Sequence, residues 1–446
     1  MKKTLISILT CICITLSCFT LAACRAEEAG ANVYFLNFKP ESAKIYEKIA
    51  DDYYNETGVK VKVVTAAANT YEQTLKSEIA KKNAPTIFQI NGPIGFNTWK
   101  KYCADLKDSK LYSYLTDKNL AIKEGDGVYG IPYVIEAYGI IYNKEITDRY
   151  FALKSRQTQI NSMDEVTDYN KLRVVVEDMT KHKKELGIDG VFASTSMLSG
   201  EDWRWQTHLM NIPLYYEFIE NEKYDDPTVA GLNTADITFK YADKFKNIFD
   251  LYINNSTTPK TLLGSKSVAD SMAEFALGKA AMVQNGTWGY EQIKGVKGNT
   301  VKAENTKFLP IYLGIEGEEA QGLCVGTENY LAINKNASAE QQKASLDFLE
   351  WLYGSEKGKK YVSEQLGFTT PFNTFSENET PTDPLAKETV KWMNKKDVKT
   401  IPWVFTAFPS ETFKTELGSL LLGYAQGDVT WDEVKQGAIK HWKSER

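Results

Sequence analysis

Cysteine and histidine are scarce in this chain of 446 residues, which contains 6 cysteines and 3 histidines. Three of the cysteines lie in an apolar run before residue 22, so few remain to cross-link a globular part, and a disulfide scaffold is excluded. His182, His208 and His441 form no H-E-x-x-H or H-x-x-E-H spacing. The sequence therefore gives no support for a zinc hydrolase, and no metal is expected.

Motifs for nucleotide and acyl chemistry are also missing. The sequence has no G-x-x-x-x-G-K-[ST] phosphate loop and no G-x-S-x-G nucleophile elbow. Gly125-Asp126-Gly127 is too short for a dinucleotide fingerprint and indicates a turn. We therefore expect no cofactor and no catalytic residue. The remaining enzyme alternative is a surface glycoside hydrolase, because the spacing of a carboxylate pair across a cleft cannot be seen in a sequence.

An excess of positive charge is absent as well. The chain has 53 basic and 58 acidic residues, with a net charge of -5, so no nucleic-acid partner is expected. Its length and its apolar fraction of 43% suit two lobes better than one core. Aromatic residues reach 12%, with 9 Trp and 25 Tyr. They fill cores, and they also offer flat faces on which weakly apolar ligands stack.

The N-terminus predicts the compartment. Lys2 and Lys3 precede an apolar run from Leu5 to Leu21, which is short for a membrane-spanning helix and is typical of a secretory signal peptide over 1–23. The run ends in Leu-Ala-Ala-Cys24, which resembles the bacterial lipobox. That resemblance implies a diacylated Cys24, a tether over 24–31 and a protein held at the extracytoplasmic face of the cell membrane. The alternative is an ordinary leader in which Cys24 is incidental.

The globular part begins with alternating strand and helix patterns. Apolar runs predict strands at Val33–Leu36, Val59–Val63 and Thr86–Ile90, and the intervening periodicity predicts helices at Glu41–Thr57 and Tyr71–Lys82. This order indicates an α/β fold with a mostly parallel sheet. A second such pattern starts near Gly139, and the stretch Gly314 to Gln321 is expected to be a surface loop. Cys103 and Cys324 are expected to be buried free thiols.

Four segments resemble the extracellular solute-binding proteins that serve carbohydrate ABC importers, the maltose-binding-like family 1. They are V-Y-G-I-P-Y-V-I-E-A-Y-G-I-I-Y-N-K at 128–144, E-F-A-L-G-K-A-A-M-V-Q-N-G-T-W at 274–288, L-P at 309–310 with G-T-E-N-Y-L-A-I-N at 326–334, and F-L-E-W-L to G-K-K-Y-V over 348–362. The order and spacing of these segments carry the resemblance. It implies a two-lobed periplasmic-binding-protein-like fold with a hinge and a ligand cleft between the lobes.

The resemblance also implies how the lobes divide the chain. Lobe 1 would hold 32–138 and 325–375, and lobe 2 would hold 139–324 and 376–446. The first crossover is expected at Glu136 to Ile141, where Gly139 could relax the restrictions on φ. The second is expected at Val325 to Tyr330. Ligand pockets commonly occur between domains.

The implied function is capture of an oligosaccharide outside the cell and its delivery to an ABC transporter permease by a monomer. Sugar hydroxyls need a few placed polar groups, and sugar C–H faces lie flat on aromatic rings. Glu136 matches a family carboxylate position, with a hinge ion pair as the alternative, and Trp288 matches the stacking position, with core packing as the alternative. The other candidates are Phe38, Lys39, Gln89, Asn91, Glu201, Trp203, Trp403 and Phe408. Trp205 is expected in the core. The same fold binding a non-sugar solute, such as a peptide, a polyamine or a metal chelate, stays open.

Overall fold

The computed structural model describes residues 32–67 and 70–446 of the chain. The expected signal peptide, Cys24 and the whole of the expected tether lie outside the described residues. None of the helices in the described residues is both long enough and apolar enough to cross a membrane.

The first sheet contains strands β1 to β5 and β11, in the order β2-β1-β3-β11-β5-β4. Their bounds are Val33–Asn37 for β1, Val61–Thr65 for β2, Ile87–Asn91 for β3, Ile122–Glu124 for β4, Gly127–Pro132 for β5 and Asn329–Ile333 for β11. β1 runs parallel to β2 and β3, whereas β11 runs antiparallel to β3 and β5.

The second sheet has the order β12-β10-β6-β8-β7, with β9 paired to β6. Its strands are β6 at Glu136–Asn143, β7 at Gly190–Phe192, β8 at Ala280–Gly286, β9 at Thr306–Leu309, β10 at Gln321–Gly326 and β12 at Lys399–Ile401. Both sheets are mixed, which corrects the expectation of a mostly parallel sheet. The strands that enter and leave at the crossings, β5, β6, β10 and β11, run antiparallel to neighbours and cause the difference.

Helices cover both faces of each sheet. They are α1 (Ala43–Thr57), α2 (Tyr71–Glu78), α3 (Gly92–Trp99), α4 (Lys110–Ser113), α5 (Lys144–Phe151), α6 (Tyr169–Lys181), α7 (Lys183–Leu186), α8 (Met210–Phe218), α9 (Pro227–Leu232), α10 (Ala242–Asn254), α11 (Val268–Ala276), α12 (Gly289–Lys294), α13 (Ala339–Gly354), α14 (Glu356–Lys360), α15 (Pro384–Met393), α16 (Glu411–Gln426) and α17 (Trp431–Ser444). Two apolar clusters accompany each sheet. This double cover explains why β1, β6 and β8 are buried along their whole length.

The chain passes between the sheets at three places. It leaves β5 and enters β6 through residues 133–135, and it returns from β10 to β11 through residues 327–328. Further along, Phe372 packs in a core of the first sheet and Leu385 in a core of the second. The lobes also touch away from these crossings, because a Cβ on Gly92 would lie 3.1 Å from Cβ of Thr406.

Gly139 does not act as the expected flexible crossover residue. It lies inside the regular strand β6 and is paired with Asn285 of β8. A Cβ at this position would lie 2.5 Å from the carbonyl oxygen of Leu309. Glycine is required here because the backbone of residue 309 approaches β6 closely, and the passage between the sheets occurs just before Glu136.

Cys103 and Cys324 are both buried and free. Residues 314–321 include the expected surface loop, since Glu316, Gly317, Glu319 and Ala320 are exposed, but Glu318 within it is only 2% exposed. Its Oε2 accepts from the backbone N–H groups of Leu313 and Gly314 at 2.7 and 2.8 Å, so this turn is built around a buried carboxylate.

Candidate functional site

A crevice lies where the chain crosses between the two lobes. The first lobe and the crossings contribute Glu41, Ser42, Ile45, Val134, Ile135, Glu136 and the run 365–369, and the second lobe contributes Thr287, Trp288, Glu291, Asp383 and Ala386. Both principal candidates from the sequence, Glu136 and Trp288, therefore face one crevice.

Glu136 is the first residue of β6 and is 5% exposed. Its Oε1 accepts from Nζ of Lys39 at 2.7 Å, so the alternative of an ion pair near the hinge is realised. Lys39 is equally buried, and Oε1 of Glu41 lies 4.0 Å from its Nζ. Burial acts to lower the pKa of Lys39, but the two carboxylates outweigh it and hold this pKa above its ordinary value. Glu136 also lines the crevice, so one carboxylate serves both purposes.

The loop after β1 is held by buried amides. Asn37 Oδ1 accepts from the backbone N–H of Lys39 at 3.1 Å, and Asn37 Nδ2 donates to the Lys39 carbonyl at 2.8 Å. Gln89 Oε1 accepts from the N–H of Phe38 at 2.5 Å, and Gln89 Nε2 donates to the hydroxyl of Tyr133. Gln89 is fully buried and its amide is occupied, so it shapes the loop that presents Phe38 and Lys39.

Asn91, the last residue of β3, stands opposite Asn329 of β11. The backbone N–H of the next residue, Gly92, donates to the carbonyl oxygen of Glu328, in the crossing between β10 and β11, at 2.9 Å. Burial raises the pKa of the Glu328 carboxyl, and Lys414 of α16 in the other lobe partly opposes this effect. Asn91 therefore lies at the boundary between the lobes.

Three tryptophans of the second lobe form one aromatic cluster. The ring centroids of Trp203 and Trp288 are 5.8 Å apart, and those of Trp288 and Trp403 are 6.4 Å apart. The planes of Trp288 and Trp403 are nearly perpendicular at 84°. The structure thus brings together three candidates that are far apart in the chain.

The indole N–H groups of Trp288 and Trp403 are buried and have no hydrogen-bond partner among the described residues. The same is true of the hydroxyls of Thr287 and Thr327. Buried indole and hydroxyl groups ordinarily find a partner. Two of these groups, the Thr287 hydroxyl and the Trp288 indole N–H, belong to residues that line the crevice and can serve a polar ligand there.

Two further candidates lie elsewhere. Glu201 Oε2 accepts from the N–H of Val268 at 2.5 Å, which ties it to the start of α11. Phe408 is 1% exposed and packs against Phe413 and Trp442, with centroids 5.6 and 5.7 Å away. The structure gives Phe408 a place in the core, because it follows the turn 404–407 on the side that faces α16 and α17.

His208, a histidine in no metal-binding spacing, packs within the aromatic cluster. Its ring stacks on Tyr138 with centroids 4.2 Å apart and planes at 6°, and it stands 5.5 Å from Trp288. Burial, together with nearby Arg204 and Lys414, holds the pKa of His208 well below its ordinary value, so the ring is neutral. No spacing in the sequence signals this contact, because Tyr138 and His208 are 70 residues apart.

The crevice is rich in carboxylates. Glu41, Glu136, Glu291 and Asp383 line it, and Lys39 reaches Glu136 from its edge. Burial raises the pKa of Asp383 to about 6, even though its Oδ1 accepts from the N–H groups of Leu385 and Ala386. In the described part of the chain, no group of three or more His, Cys, Asp or Glu side chains is arranged to hold a metal ion. The crevice offers hydrogen-bond acceptors beside an indole.

Comparison with known proteins places these features in a family. Residues 48–390 match the family described as bacterial extracellular solute-binding protein. The maltodextrin-binding protein MdxE of Bacillus subtilis (strain 168) is 26% identical over 292 residues, which are 63% of this chain and 62% of that protein. The match thus spans less than two thirds of the relative's length.

Solved structures share the fold. RafE in complex with raffinose aligns with a TM-score of 0.68 at 19% identity, over 93% of this chain and 99% of that chain. MalE3 of T. maritima with bound maltose aligns with a TM-score of 0.67 at 13% identity, over 92% of this chain and 99% of that chain. The two-lobed α/β architecture expected from the sequence is confirmed. Since the family match covers most of the sequence, the chain belongs to the bacterial extracellular solute-binding proteins.

Proposed function

We propose that this protein captures an oligosaccharide outside the cell and delivers it to the permease of an ABC transporter. The observation that carries the proposal is the meeting of the Glu136 carboxylate and the Trp288 indole in one crevice between the lobes. A carboxylate accepts hydrogen bonds from sugar hydroxyls, and an indole face packs against sugar C–H groups. The related proteins bound to raffinose and maltose support the same class of ligand.

The proposed site includes Phe38, Lys39, Asn91, Glu136, Trp203, Trp288 and Trp403. Gln89 supports it from the core through its bonds to Phe38 and Tyr133. The unpartnered indole N–H groups of Trp288 and Trp403 and the hydroxyls of Thr287 and Thr327 add donors and acceptors at the same boundary. This combination suits a neutral polyhydroxyl ligand better than an apolar one.

The protein would act while anchored outside the membrane as a lipoprotein. The support is the positively charged start, the apolar run and Leu-Ala-Ala-Cys24 in the sequence. Two acyl chains on Cys24 would supply the stable anchoring that a single chain does not. We further propose that it is a monomer that meets the permease in its ligand-bound form.

A thermal-shift screen against malto-, manno-, xylo- and raffinose-type oligosaccharides, followed by calorimetry on the best ligand, tests the proposal. We expect one series to raise the melting temperature of the wild-type protein and to lose this effect in Trp288→Ala. If no saccharide shifts the wild-type protein, the sugar assignment is wrong.

We propose a binding role and no catalytic one. The support is the absence of a catalytic motif in the sequence and the family of binding proteins to which the chain belongs. Incubation of the protein with the best oligosaccharide should leave that ligand intact by chromatography over hours. Appearance of shorter products, removed by Glu136→Gln, would instead identify a glycoside hydrolase.

A cationic solute such as a polyamine is the second candidate. Four carboxylates line the crevice, whereas two lysines reach them within ion-pair distance among the described residues: Lys39 at Glu136 and Glu41, and Lys294 at Glu291. A polyamine would place its ammonium groups against this excess of negative charge. Putrescine and spermidine therefore belong in the same screen, and a shift that 0.5 M salt abolishes would favour this candidate, because salt screens ionic contacts far more than stacking.

A further inference from the structure

Asn285, near the end of β8, is fully buried and unusually well connected. Its Oδ1 accepts from Nη2 of Arg204 at 3.1 Å and from the backbone N–H of Gly286 at 3.0 Å. Its Nδ2 donates to Oε1 of Gln292 at 3.0 Å, which fixes the orientation of the amide. The Asn285 side-chain oxygen thus accepts from two groups, Arg204 and the Gly286 N–H, and each group contacts a different tryptophan of the aromatic cluster.

The first group is Arg204, which is 1% exposed. Its guanidinium carbon lies 3.9 Å from the ring centroid of Trp203. Burial lowers the pKa of Arg204 to about 9, so the side chain is still a cation at neutral pH. The charge of Glu201 partly opposes this effect, but no carboxylate of the described residues forms an ion pair with Arg204. A cation in this position is held by Asn285 and by the negative face of the indole.

Burying the charged guanidinium of Arg204 costs more free energy than packing an apolar side chain in the same place. An unpaired buried charge loses its hydration, and an apolar side chain of similar size would fill the same space without that loss. Arg204 is instead held against the Trp203 ring, so its guanidinium limits where that indole can lie.

The second group is Gly286, which carries the other tryptophan. A Cβ on Gly286 would overlap the six-membered ring of Trp288, so this indole folds back directly over the glycine backbone. The N–H of Gly286 is held by the same Asn285 oxygen that holds Arg204. The positions of both rings, 5.8 Å apart and inclined at 54°, thus depend on one amide.

We propose that Asn285 and Arg204 are positioning residues that set the spacing and inclination of Trp203 and Trp288. What the two rings bind rests on the proposed function, in which they would accept the C–H faces of a pyranose. The spacing itself is a property of the protein without ligand. Asn285 and Arg204 would therefore influence which ligand binds by fixing the distance between the Trp203 and Trp288 rings. Neither residue needs to touch the ligand itself.

Fluorine NMR of protein labelled with 5-fluorotryptophan tests the proposal without any ligand. Each resonance is assigned by a Trp→Phe variant. In Arg204→Gln and in Asn285→Ser we expect the Trp203 and Trp288 resonances to shift or broaden together, while those of Trp431 and Trp442 in the distant core stay in place. Arg204→Lys keeps the charge but loses the planar guanidinium, and it should disturb Trp203 to an intermediate degree.

The matched control is Arg173→Gln, because Arg173 is a surface arginine paired with Glu177. It should leave all resonances unchanged. If one test variant does not fold, the other and Arg204→Lys still decide the question. The proposal is overturned if folded Arg204→Gln or Asn285→Ser keeps both the Trp203 and the Trp288 resonances of the wild-type protein.

A binding measurement forms the second arm. For an oligosaccharide that binds the wild-type protein, Arg204→Gln should weaken affinity about tenfold or more, which is about 1.4 kcal/mol. We expect the loss of affinity to be larger for long oligosaccharides than for short ones. A change in the distance between the Trp203 and Trp288 rings affects mainly ligands that contact both rings. If no saccharide binds the wild-type protein, the proposed function fails, yet the NMR result still decides whether Asn285 and Arg204 position the rings.

Discussion

At the scale of the residue, identical side chains have different roles because their polar atoms are satisfied differently. Trp205 is 1% exposed, and its Nε1 donates to the Ser196 carbonyl at 3.0 Å. Trp288 is only partly buried, and its Nε1 has no partner among the described residues. The Trp205 indole is therefore part of the core, whereas the Trp288 indole has a free N–H and an exposed part that are available to a ligand.

Replacing each of these tryptophans by alanine should separate binding from stability. Trp288→Ala should weaken oligosaccharide binding by about thirtyfold, since loss of an aromatic anchor costs about 2 kcal/mol at a hot spot. Trp205→Ala should cost about 3–5 kcal/mol of unfolding free energy, because it leaves a cavity. Calorimetry and denaturant unfolding on both variants measure the two effects. Normal binding with early melting in Trp288→Ala would reduce that residue to packing.

Asp383 should make the stability depend on pH. Its folded pKa of about 6 lies above the ordinary value of 3.8, so between these values the folded protein holds a proton that the unfolded chain has lost. Stability from this group is therefore fully present below about pH 4 and is lost as pH rises through about 6. Within that window the free energy of unfolding should fall by up to about 1.4 kcal/mol as the pH rises by one.

Asp383→Asn is the variant that isolates this effect, because asparagine keeps the acceptor that caps α15. At pH 7.5 it should melt above the wild-type protein, and near pH 4.5 the difference should shrink. The measurement is the difference in melting temperature between the two proteins from pH 4.5 to 7.5. A difference that does not vary with pH would contradict the assignment.

At the scale of the element, strand β6 both contributes a side chain to the crevice and packs closely against the backbone of β9. Its first residue, Glu136, faces the crevice, whereas Gly139 three residues later admits the Leu309 backbone. Its partners β8 and β10 end at Gly286 and Gly326, and a side chain on either glycine would overlap Trp288 or Trp403. Small residues at these strand ends therefore let the two indoles lie against the sheet.

Gly139→Ala should destabilise the second lobe by about 2 kcal/mol or more, because the new methyl group would overlap backbone that cannot move without breaking the β6–β9 pairing. Gly264→Ala is the matched control, since its Cβ would meet only the flexible end of Leu422. Its effect should stay within about 0.5 kcal/mol. Urea unfolding of both variants gives the comparison, and equal stability would show that residue 309 can move aside.

At the scale of the whole molecule, two separately packed lobes meet through three crossings. The apolar clusters belong to one sheet or the other, so relative movement of the lobes leaves each core intact. Between them lie polar and charged groups such as Lys39, Glu136 and Glu328, together with unpartnered hydroxyls. An interface of this composition is suited to opening and closing around a ligand.

Ligand should therefore favour a closed arrangement. Small-angle scattering should give a smaller radius of gyration with saturating oligosaccharide than without it, because a ligand held by both lobes stabilises the state in which both touch it. Glu136→Gln, measured at a ligand concentration that does not saturate it, serves as the control. An unchanged radius at proven saturation would indicate a rigid site.

The proposed anchor is tested on whole cells. Cys24→Ser should move the protein from the membrane fraction to the soluble extracytoplasmic fraction, because the thiol is the proposed point of diacylation. Cys103→Ser, which alters a buried thiol of the folded part, is the control and should stay with the membrane. Retention of Cys24→Ser at the membrane would refute the lipoprotein assignment.

The sequence by itself determined much of the alternation of strands and helices, which depends on short-range periodicity that can be read locally. The two-lobed fold and the candidates Glu136 and Trp288 came from the resemblance of four short segments to a known family. β2 nevertheless begins two residues later than predicted, at Val61, because Gly58 ends α1 in a left-handed turn and the chain needs residues 59–60 to reach β1.

Only the tertiary structure decided which distant side chains meet. The Lys39–Glu136 pair joins residues 97 positions apart, and the Arg204–Asn285 bond joins residues 81 apart. The placement of Phe408 in the core and of His208 in the aromatic cluster also follows from how α16, α17 and β6 pack. The periodicity of a segment shows which of its faces is apolar, but the partner of that face is chosen by packing of the whole chain, and the site is made of such choices.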